Sequence, residues 1–429
     1  MENLHAACQP TADTLAGWVA DARARTLALV DDLGDEQMMG PQLAIINPLL
    51  WEISHVAWFQ EKWVLRHVLG RAPLRADADR LFDSIAIPHD TRWDLPLPSR
   101  RDTYAYLAEV RDRVLQALAR DGASPELRYH ALYSVFHEDM HDEAFTYTRQ
   151  TLAYRPPALP APPPLAAGGL LPGDAEVPGG TYLLGASPEE PFVFDNEKWA
   201  HAVEVAPFRI ARGAVSQGEY APFVEDGGYQ HPELWSPAGR EWRQRAGVEG
   251  PLYWRREGGG WLRRDFDRWV TLEPHRAMVH VSAYEAEAWC AWAGRRLPSE
   301  AEWEAAAAGA GPERRRLPWG EEPAGGERAN LDGLRLGCTD VGALAAGDTP
   351  EGCRQLLGNV WEWTATEFAP YPGFTPDPYR EYSQPWFGTH RVLRGGAWTT
   401  RARLLRNTWR NFYTPDRRDV WAGFRTCAR

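Results

Sequence analysis

A segment rich in proline, alanine and glycine, RPPALPAPPPLAAGGLLPGDAEVPGG (155–180), divides the chain into two parts of different character. Proline fixes φ and has no backbone N–H, so a helix cannot continue through this segment, and the proline-rich path is extended and semi-rigid. The full length of 429 residues suits two domains of ordinary size. We therefore predict a first domain at 1–155, a linker at 156–180 and a second domain at 181–429.

The first part of the chain carries apolar side chains at helical spacing in four runs. These runs predict helices over residues 14–33, 48–69, 99–119 and 125–154. Ser99 can cap the third helix, and Gly70 ends the second. Four helices joined by loops predict a four-helix bundle.

The second part alternates short β-like runs (TYLLG, AVEVAPFRI, HRVLRGGAW) with long loops, and it holds 16 of the 21 tryptophans. Helices are predicted only over residues 216–225, 282–292 and 298–308. Because this is too little regular structure for a standard sandwich or barrel, buried aromatic side chains in the loops are expected to hold the domain together. WEWT (361–364) and LRGGAW (393–398) are assigned to its interior. The predicted fold class is α+β.

Charge and composition exclude several functions. A formal charge of −12 argues against a nucleic-acid or anionic-membrane binder, and no apolar stretch is long enough to span a bilayer. The N-terminal residues 1–14 lack the basic and apolar regions of a signal peptide. The five cysteines are widely spaced and odd in number, so neither a disulfide framework nor a cysteine zinc site is expected: Cys8, Cys290, Cys338, Cys353 and Cys427. A reduced cytoplasm is the expected location, and no obligatory protein partner is evident.

Three histidines form a candidate metal site. His137 and His141 are four residues apart on the last predicted helix, so both imidazoles project from one face. His55 lies in the middle of the second helix, where Trp51, Trp58 and Phe59 would exclude water. The alternative is that the HxxxH spacing arose by chance on a surface helix. Neutral imidazoles suit Zn, Cu, Fe or Ni, so ligand type alone leaves the metal open.

With these histidines, the first domain resembles the DinB-like domain of the ergothioneine-synthase type of non-haem iron enzymes. The second domain resembles the formylglycine-generating-enzyme (sulfatase-modifying-factor) fold, which is C-type-lectin-like. The strings that carry the second resemblance are FDNEKWAHAVEVAPFRI (194–210), VSQGEYAPFVEDGGY (215–229), HVSAYEAEAWCAWAGRRLPSEAEWEAAA (280–307), LLGNVWEWT (356–364), YPGF (371–374), VLRGGAW (392–398) and RNFYTPDRR (410–418).

The resemblance implies Fe(II) held by His55, His137 and His141, with O2 as co-substrate. The family joins a chalcogen atom to C2 of the imidazole of hercynine, the trimethyl-betaine of histidine. Tyr379 matches the catalytic tyrosine, whose phenol can deliver or take a proton. Tyr382 matches a second tyrosine near the substrate.

The resemblance also implies which residues bind substrates. Asn411 and Phe412 match the residues that hold hercynine, because an amide can bind its carboxylate and an aromatic face its trimethylammonium group. Arg417 matches a basic residue that helps to bind the carboxylates of a cysteine-type donor.

Three positions depart from the ergothioneine enzymes. Met140 replaces a glutamine that bonds the substrate imidazole, and Tyr413 replaces an acidic residue that grips the donor's amine. The loop at 81–104 replaces an arginine-bearing loop that clamps donor carboxylates. Tyr413 and Trp93 suit a sugar ring, and the chain is similar to selenoneine synthases, which use a selenosugar donor. An ergothioneine-type thiol donor is the alternative.

Three other functions compete with this interpretation. Formylglycine-generating enzymes use a C-terminal cysteine pair, whereas Cys427 is the only cysteine in residues 355–429. A lectin-like binding module would carry structural zinc on the histidines. A DinB-type thiol transferase would use the metal without O2, and the second domain and Tyr379 argue against it.

Overall fold

The computed structural model describes residues 9–160, 165–310 and 314–429. The chain splits into two compact units, Met1–Leu159 with Pro188–Phe192, and Pro160–Ser187 with Val193–Arg429. The prediction that residues 1–14 are not a signal peptide falls partly on residues 1–8, which lie outside the described residues. Cys8 and residues 161–164 of the predicted linker also lie outside them.

The first unit is helical. Its α-helices are α1 (Ala12–Ala28), α2 (Asp35–Met39), α3 (Leu49–Gln60), α4 (Ala78–Phe82), α5 (Arg100–Asp121) and α6 (Pro125–Thr151), with a π-helix at Glu61–Val68 and a 3-10 helix at His89–Thr91. Helices α1 and α3 each pack against both α5 and α6. The predicted four-helix bundle is therefore confirmed, and α2 and α4 are short additions between the long helices.

Helix boundaries follow local chemistry. The Ser99 hydroxyl accepts the backbone N–H of Asp102 and begins α5, as predicted. Ser124 caps α6 in the same way, with Pro125 at the first helical position.

The second predicted helix differs, since its last part is π-helical. Buried polar side chains at the junction of α3 and the π-helix contact other helices: Gln60 donates to Ser134 Oγ at 3.1 Å, and Glu61 accepts from the Tyr106 hydroxyl.

A buried ion pair fixes α6 against α1. Arg23 and Glu138 are each about 1% exposed, and Nε of Arg23 lies 2.7 Å from Oε1 of Glu138. The Thr26 hydroxyl donates to the same oxygen at 2.8 Å. Because Glu138 follows His137 directly, this network holds the histidine-bearing part of α6 in place.

The described residues of the second unit form four small sheets and several short helices. Its strands are β1 (Asp174–Val177), β2 (Gly180–Leu184), β3 (His201–Val205), β4 (Phe208–Ala211), β5 (Trp254–Glu257), β6 (Gly260–Asp265), β7 (Arg268–Thr271), β8 (Arg295–Arg296), β9 (Trp361–Glu367), β10 (Arg391–Arg394), β11 (Asn411–Tyr413), β12 (Ala422–Gly423) and β13 (Cys427–Ala428). The sheet orders are β1-β4-β13-β8, β11-β10-β9-β12, β2-β3 and β5-β6-β7. The α+β class is confirmed.

The predicted helices of this unit are present, and a fourth was missed: α7 (Gln217–Glu225), α8 (Pro237–Ala246), α9 (Ala283–Trp292) and α10 (Glu300–Ala308). Serines in capping boxes begin α7, α9 and α10. The missed helix α8 is rich in arginine and buries only Gly239 and Trp242, so its apolar pattern is weak. The β5–β7 sheet was also missed, although the Gly258–Gly259 turn, with φ +59° and +83°, marks its first hairpin.

Aromatic side chains and ion pairs fill the interior of the second unit. Trp303, Trp361, Trp363 and Trp398 are all fully buried, which confirms the interior assignment of WEWT and LRGGAW. The indole N–H of Trp303 donates to Glu362 at 2.7 Å. Buried arginines pair with buried glutamates, a feature the sequence did not reveal: Arg406–Glu197, Arg410–Glu300, Arg394–Glu304 and Arg425–Glu362.

The described cysteines, Cys290, Cys338, Cys353 and Cys427, are buried and unpaired by disulfides. Burial raises the pKa of the Cys338 and Cys427 thiols to about 12, so both stay protonated at neutral pH. Within the described ranges, no helix combines the length and the apolar character that crossing a bilayer requires.

Candidate metal centre

The three predicted histidines converge in the bundle. His55 lies in the middle of α3, and His137 and His141 lie one turn apart on α6. One ring nitrogen from each lies within 4.8 Å of the other two. The His55 ring centroid is 5.1 Å from each of the other rings, which are 4.6 Å apart. In the described part of the chain, this is the one group of three or more His, Cys, Asp or Glu residues close enough to hold an ion.

Hydrogen bonds determine which ring nitrogens face the centre. Nδ1 of His55 lies 2.8 Å from the carbonyl oxygen of Phe82, and Nδ1 of His141 lies 2.7 Å from Oε1 of Glu52. A carbonyl and a carboxylate oxygen accept hydrogen bonds, so each Nδ1 carries the proton and donates. In the neutral ring the lone pair is then on Nε2, the tautomer that binds a metal.

Burial keeps two of these rings neutral. His55 and His137 are 2% and 5% exposed. Desolvation lowers the pKa of each well below the ordinary histidine value, and the neighbouring His141 lowers it further. A neutral imidazole is the form that ligates a cation.

Aromatic rings enclose the cluster. Trp51 stacks on His55 with centroids 5.1 Å apart and an interplanar angle of 6°, and Phe59 stacks on His137 at 3.7 Å and 4°. Trp58 lies 5.5 Å from the His55 ring. The guanidinium of Arg92 lies 4.0 Å above the Trp51 ring. These contacts restrict ring rotation and exclude water, as the sequence predicted for Trp51, Trp58 and Phe59.

The donor set fits a first-row divalent metal. Three imidazoles each bring one ring nitrogen to within 4.8 Å of the other two, and acceptors hold the outer nitrogens of two of these rings, as in histidine metal sites generally. His141 is half-buried, with 21% of its side chain exposed, so the cluster has one accessible side. Such a set leaves coordination positions for small molecules.

Two further candidates lie in the first unit. Met140 precedes His141 on α6 and is half-buried. The Trp93 indole N–H donates to the carbonyl oxygens of Met39 at 3.1 Å and Gly40 at 3.2 Å, which anchors the ring to the end of α2. Their roles in substrate binding stay predictions.

The hercynine-binding candidates share strand β11. Phe412 pairs with Val392 of β10, and Asn411 and Tyr413 point to the opposite face of the strand. The Phe412 ring stacks on Phe368 at 4.1 Å and meets Tyr382 edge-on at 6.0 Å. The structure therefore brings Tyr382 and Phe412 together in the second unit.

The tyrosine candidates lie on one short segment. Tyr379 is half-buried and directly precedes the 3-10 helix Arg380–Tyr382. Tyr382 stacks on Phe194 at 4.5 Å, and burial raises the pKa of its phenol above the ordinary value. Tyr382 therefore stays protonated and can act only as a hydrogen-bonding or packing group at neutral pH.

Arg417 is bound by a neighbouring carboxylate. Its Nε and Nη2 lie 2.6 and 2.7 Å from the two oxygens of Asp419, and its guanidinium lies 5.2 Å from the Tyr413 ring. Tyr413 and Arg417 are thus neighbours, but the charge of Arg417 is compensated within the protein.

Sequence reasoning missed Glu52 and the Phe82 carbonyl. Glu52 precedes His55 by three residues in an apolar helix, where an acidic residue is unusual. That buried acid was the available signal. The role of the Phe82 carbonyl has no signal in the sequence, because the main-chain carbonyl is the same in every residue.

Comparisons with known proteins agree with this architecture. Residues 9–144 match the family model of the DinB superfamily, and residues 165–429 match that of the sulfatase-modifying factor enzyme 1-like domain. The protein is thus a fusion of a helical DinB-type bundle and a sulfatase-modifying-factor-type domain.

Full-length relatives narrow this class. The hercynine oxygenase of Mycolicibacterium smegmatis is 39% identical over 431 residues, covering 96% of this chain and 98% of its own. The hercynine oxygenase of Mycobacterium tuberculosis is 40% identical over 429 residues, with coverages of 96% and 98%. The formylglycine-generating enzyme of Streptomyces coelicolor is 33% identical and covers 64% of this chain and 94% of its own. The chain belongs to the two-domain family that includes the hercynine oxygenases.

Proposed function

We propose that the protein is an Fe(II)- and O2-dependent enzyme that joins selenium from a selenosugar to C2 of the hercynine imidazole. The observation that carries the proposal is the cluster of His55, His137 and His141, in which acceptors hold the outer nitrogens of two rings. Identity of 39–40% to hercynine oxygenases over nearly the whole chain supports hercynine as the acceptor substrate.

Fe(II), when bound by the three imidazoles, would supply the site at which O2 is reduced and the donor's selenolate is held. In the overall reaction the C2–H and Se–H bonds break and a C2–Se bond forms. Oxygen accepts two electrons and leaves as H2O2 if the product is the selenide. It accepts four if the product is the selenoxide, when one oxygen atom enters the product and the other leaves as water.

Hercynine would be held at β11, the edge strand of its sheet, where side chains from both faces of the strand, Asn411 on one and Phe412 on the other, can reach one ligand. Oδ1 of Asn411 accepts the backbone N–H of Phe412 at 2.8 Å, which orients the amide NH2 group as the donor end for the substrate carboxylate. The aromatic rings of Phe412 and Tyr382, which meet at an angle of 76°, are the candidates to bind the trimethylammonium group through a cation–π contact.

Tyr379 would move the proton at C2. A phenol with access to the substrate can act as general acid or base, whereas Tyr382 is kept protonated by burial. The half-buried position of Tyr379 is compatible with contact to a bound ligand.

The environment of Arg417 favours an uncharged donor. A guanidinium already bound through two hydrogen bonds to Asp419 gains less from a second carboxylate than an unpaired one would. Tyr413, beside it, supplies an aromatic face on which the apolar face of a sugar can pack. A cysteine-type thiol, whose carboxylate Arg417 would bind, is the alternative donor.

The test is reconstitution. Protein purified without oxygen is loaded with Fe(II) and given hercynine, O2 and either a selenosugar or a cysteine-type thiol, and products are measured by mass spectrometry. The C2–selenium adduct is expected with the selenosugar. Product with the thiol alone would overturn the assigned donor. Tightly bound zinc without O2 consumption in the presence of hercynine would overturn the enzyme assignment and favour a binding module.

A further inference from the structure

The segment that carries Tyr379 and Tyr382, residues 377–383, packs on the second unit through the Tyr382 ring, which stacks on Phe194 and meets Phe412 edge-on. Residues 377–382 are half-buried or exposed, and Ser383 is the first buried one. Polar contacts at both ends of the segment add to this ring packing and fix the path of the chain on either side of Tyr379 and Tyr382.

Both ends of this tyrosine segment contact one turn, Asp195–Lys198. At the far end, the Ser383 hydroxyl donates to Oδ1 of Asp195 at 2.5 Å and accepts from Nδ2 of Asn196 at 3.0 Å. At the near end, Nζ of Lys198 lies 2.5 Å from Oδ1 of Asp377. Two contact points six residues apart fix the path of the chain between them, where Tyr379 lies.

The turn is itself anchored in the interior. Glu197 is fully buried and pairs with Arg406, and it accepts from the Thr408 hydroxyl at 2.8 Å. The carbonyl oxygen of Asn196 accepts from Nη1 of Arg410 at 2.7 Å. Arg410 directly precedes Asn411 on β11, so the turn is bonded both to the tyrosine segment and to the base of the proposed hercynine strand.

Lys198 is chemically unusual in this chain. It is one of only two lysines among 47 basic residues. The side chains of Lys198 and Asp377 are only 17% and 16% exposed, so water and salt screen their pairing less than at the surface. A compact ammonium on a flexible stem can reach Asp377 as a point charge, without the planar fork of arginine.

We propose that Asp195, Asn196 and Lys198 are positioning residues that hold Tyr379 in a fixed position relative to Asn411 and Phe412. This inference rests on the proposed function for the role of Tyr379. The clamp itself, meaning the contacts of Asp195, Asn196 and Lys198 with the two ends of the tyrosine segment, can be tested without that function. The residues act through the tyrosine segment and are not assigned any contact with substrate.

Hydrogen–deuterium exchange tests the clamp directly. Peptides that cover residues 377–383 should exchange about tenfold faster in Lys198→Ala and in Ser383→Ala than in the unaltered protein, since each change removes one end contact. The exchange of helix α10 should stay unchanged, which shows that the unit remains folded. Arg245→Ala removes an exposed ion pair with Glu241 and serves as the matched control. Equal exchange of residues 377–383 in all variants would overturn the proposal.

A charge swap tests the Lys198–Asp377 pair. The double variant Lys198→Asp with Asp377→Lys should recover slow exchange, whereas each single change should not. Lys198→Arg, which keeps the charge, should recover part of it. Failure of the double variant with an intact α10 would count against the ion pair as the near-end contact.

Turnover measurements test the effect of these contacts on the proposed reaction. In Lys198→Ala we expect the O2 consumed per molecule of C2 adduct to rise about tenfold while the Kd of hercynine stays within about twofold, because a misplaced proton donor uncouples O2 reduction from bond formation. A merely structural defect would weaken hercynine binding as well, and that result would overturn the positioning role. If the unaltered protein forms no adduct with either donor, the proposed function is wrong. The hydrogen–deuterium exchange of residues 377–383 still shows in that case whether the clamp exists.

Discussion

Glu52 accepts a hydrogen bond from Nδ1 of His141 at 2.7 Å, and this bond joins α3 to α6 at the metal centre. Glu52 is 2% exposed, so its charge is scarcely screened by water. A carboxylate on the outer nitrogen fixes the ring and raises the basicity of the inner nitrogen, which strengthens its bond to a cation.

The Glu52–His141 bond predicts the effect of Glu52→Gln. Its amide keeps the shape but loses the charge, so we expect the affinity for Fe(II) to fall about 10- to 100-fold. Competition with a chelator under anaerobic conditions measures this directly. Glu109→Gln, which alters an exposed pair with Arg113 on α5, is the matched control. An unchanged affinity would show that Glu52 only packs against the ring.

Removing a ligand should have a larger effect. His137→Ala leaves two imidazoles and should abolish stoichiometric iron binding and turnover, because two neutral nitrogens do not compensate for the lost water ligands of the ion. Metal analysis of protein loaded without oxygen measures the bound iron. His67→Ala changes an exposed histidine of the π-helix outside the cluster and should bind iron normally. Iron retained at full occupancy in His137→Ala would remove the assignment of the triad.

The variant Tyr379→Phe distinguishes the role of the Tyr379 hydroxyl from that of its aromatic ring. We expect hercynine to bind within about twofold of its original affinity, while adduct formation slows by about 10²- to 10⁴-fold, the range for loss of a general acid or base. Calorimetry measures the binding, and single-turnover product analysis measures the chemistry. Tyr104→Phe, in α5, is the control. The same rate and product ratio in Tyr379→Phe as in the unaltered protein would mean that the ring, not the hydroxyl, matters.

The sequence predicted those parts of the molecule that depend on neighbours along the chain. The i, i+4 spacing of His137 and His141 places two imidazoles on one helical face. The Ser99 side chain caps α5 by accepting the backbone N–H of Asp102, three residues further along the chain. His55 was identified because the site needs a third ligand and this histidine lies in the middle of a helix among aromatic residues.

The parts that were missed depend on residues far apart in the chain. Glu52 meets His141 across 89 residues, and the Thr408 hydroxyl meets Glu197 across 211. No local pattern encodes which arginine pairs with which glutamate, because the pairing is set by packing. The exposed β5–β7 sheet was missed for another reason: its strands bury few side chains and therefore lack a clear alternation.

Asp195 makes the stability of the second unit depend on pH. Burial raises the pKa of its carboxyl from 3.8 to about 6, so between those values the native state binds more protons than the unfolded state. Linkage then requires the contribution of this group to stability to fall as pH rises from about 4 through 6. Asp195→Asn cannot ionise, so its free energy of unfolding relative to that of the unaltered protein should rise by up to about 3 kcal/mol between pH 4 and 7. Urea unfolding followed by tryptophan fluorescence measures this difference, since 16 of the 21 tryptophans lie beyond residue 180. A difference that stays constant across this pH range would contradict the raised pKa and show that Asp195 is ionised throughout.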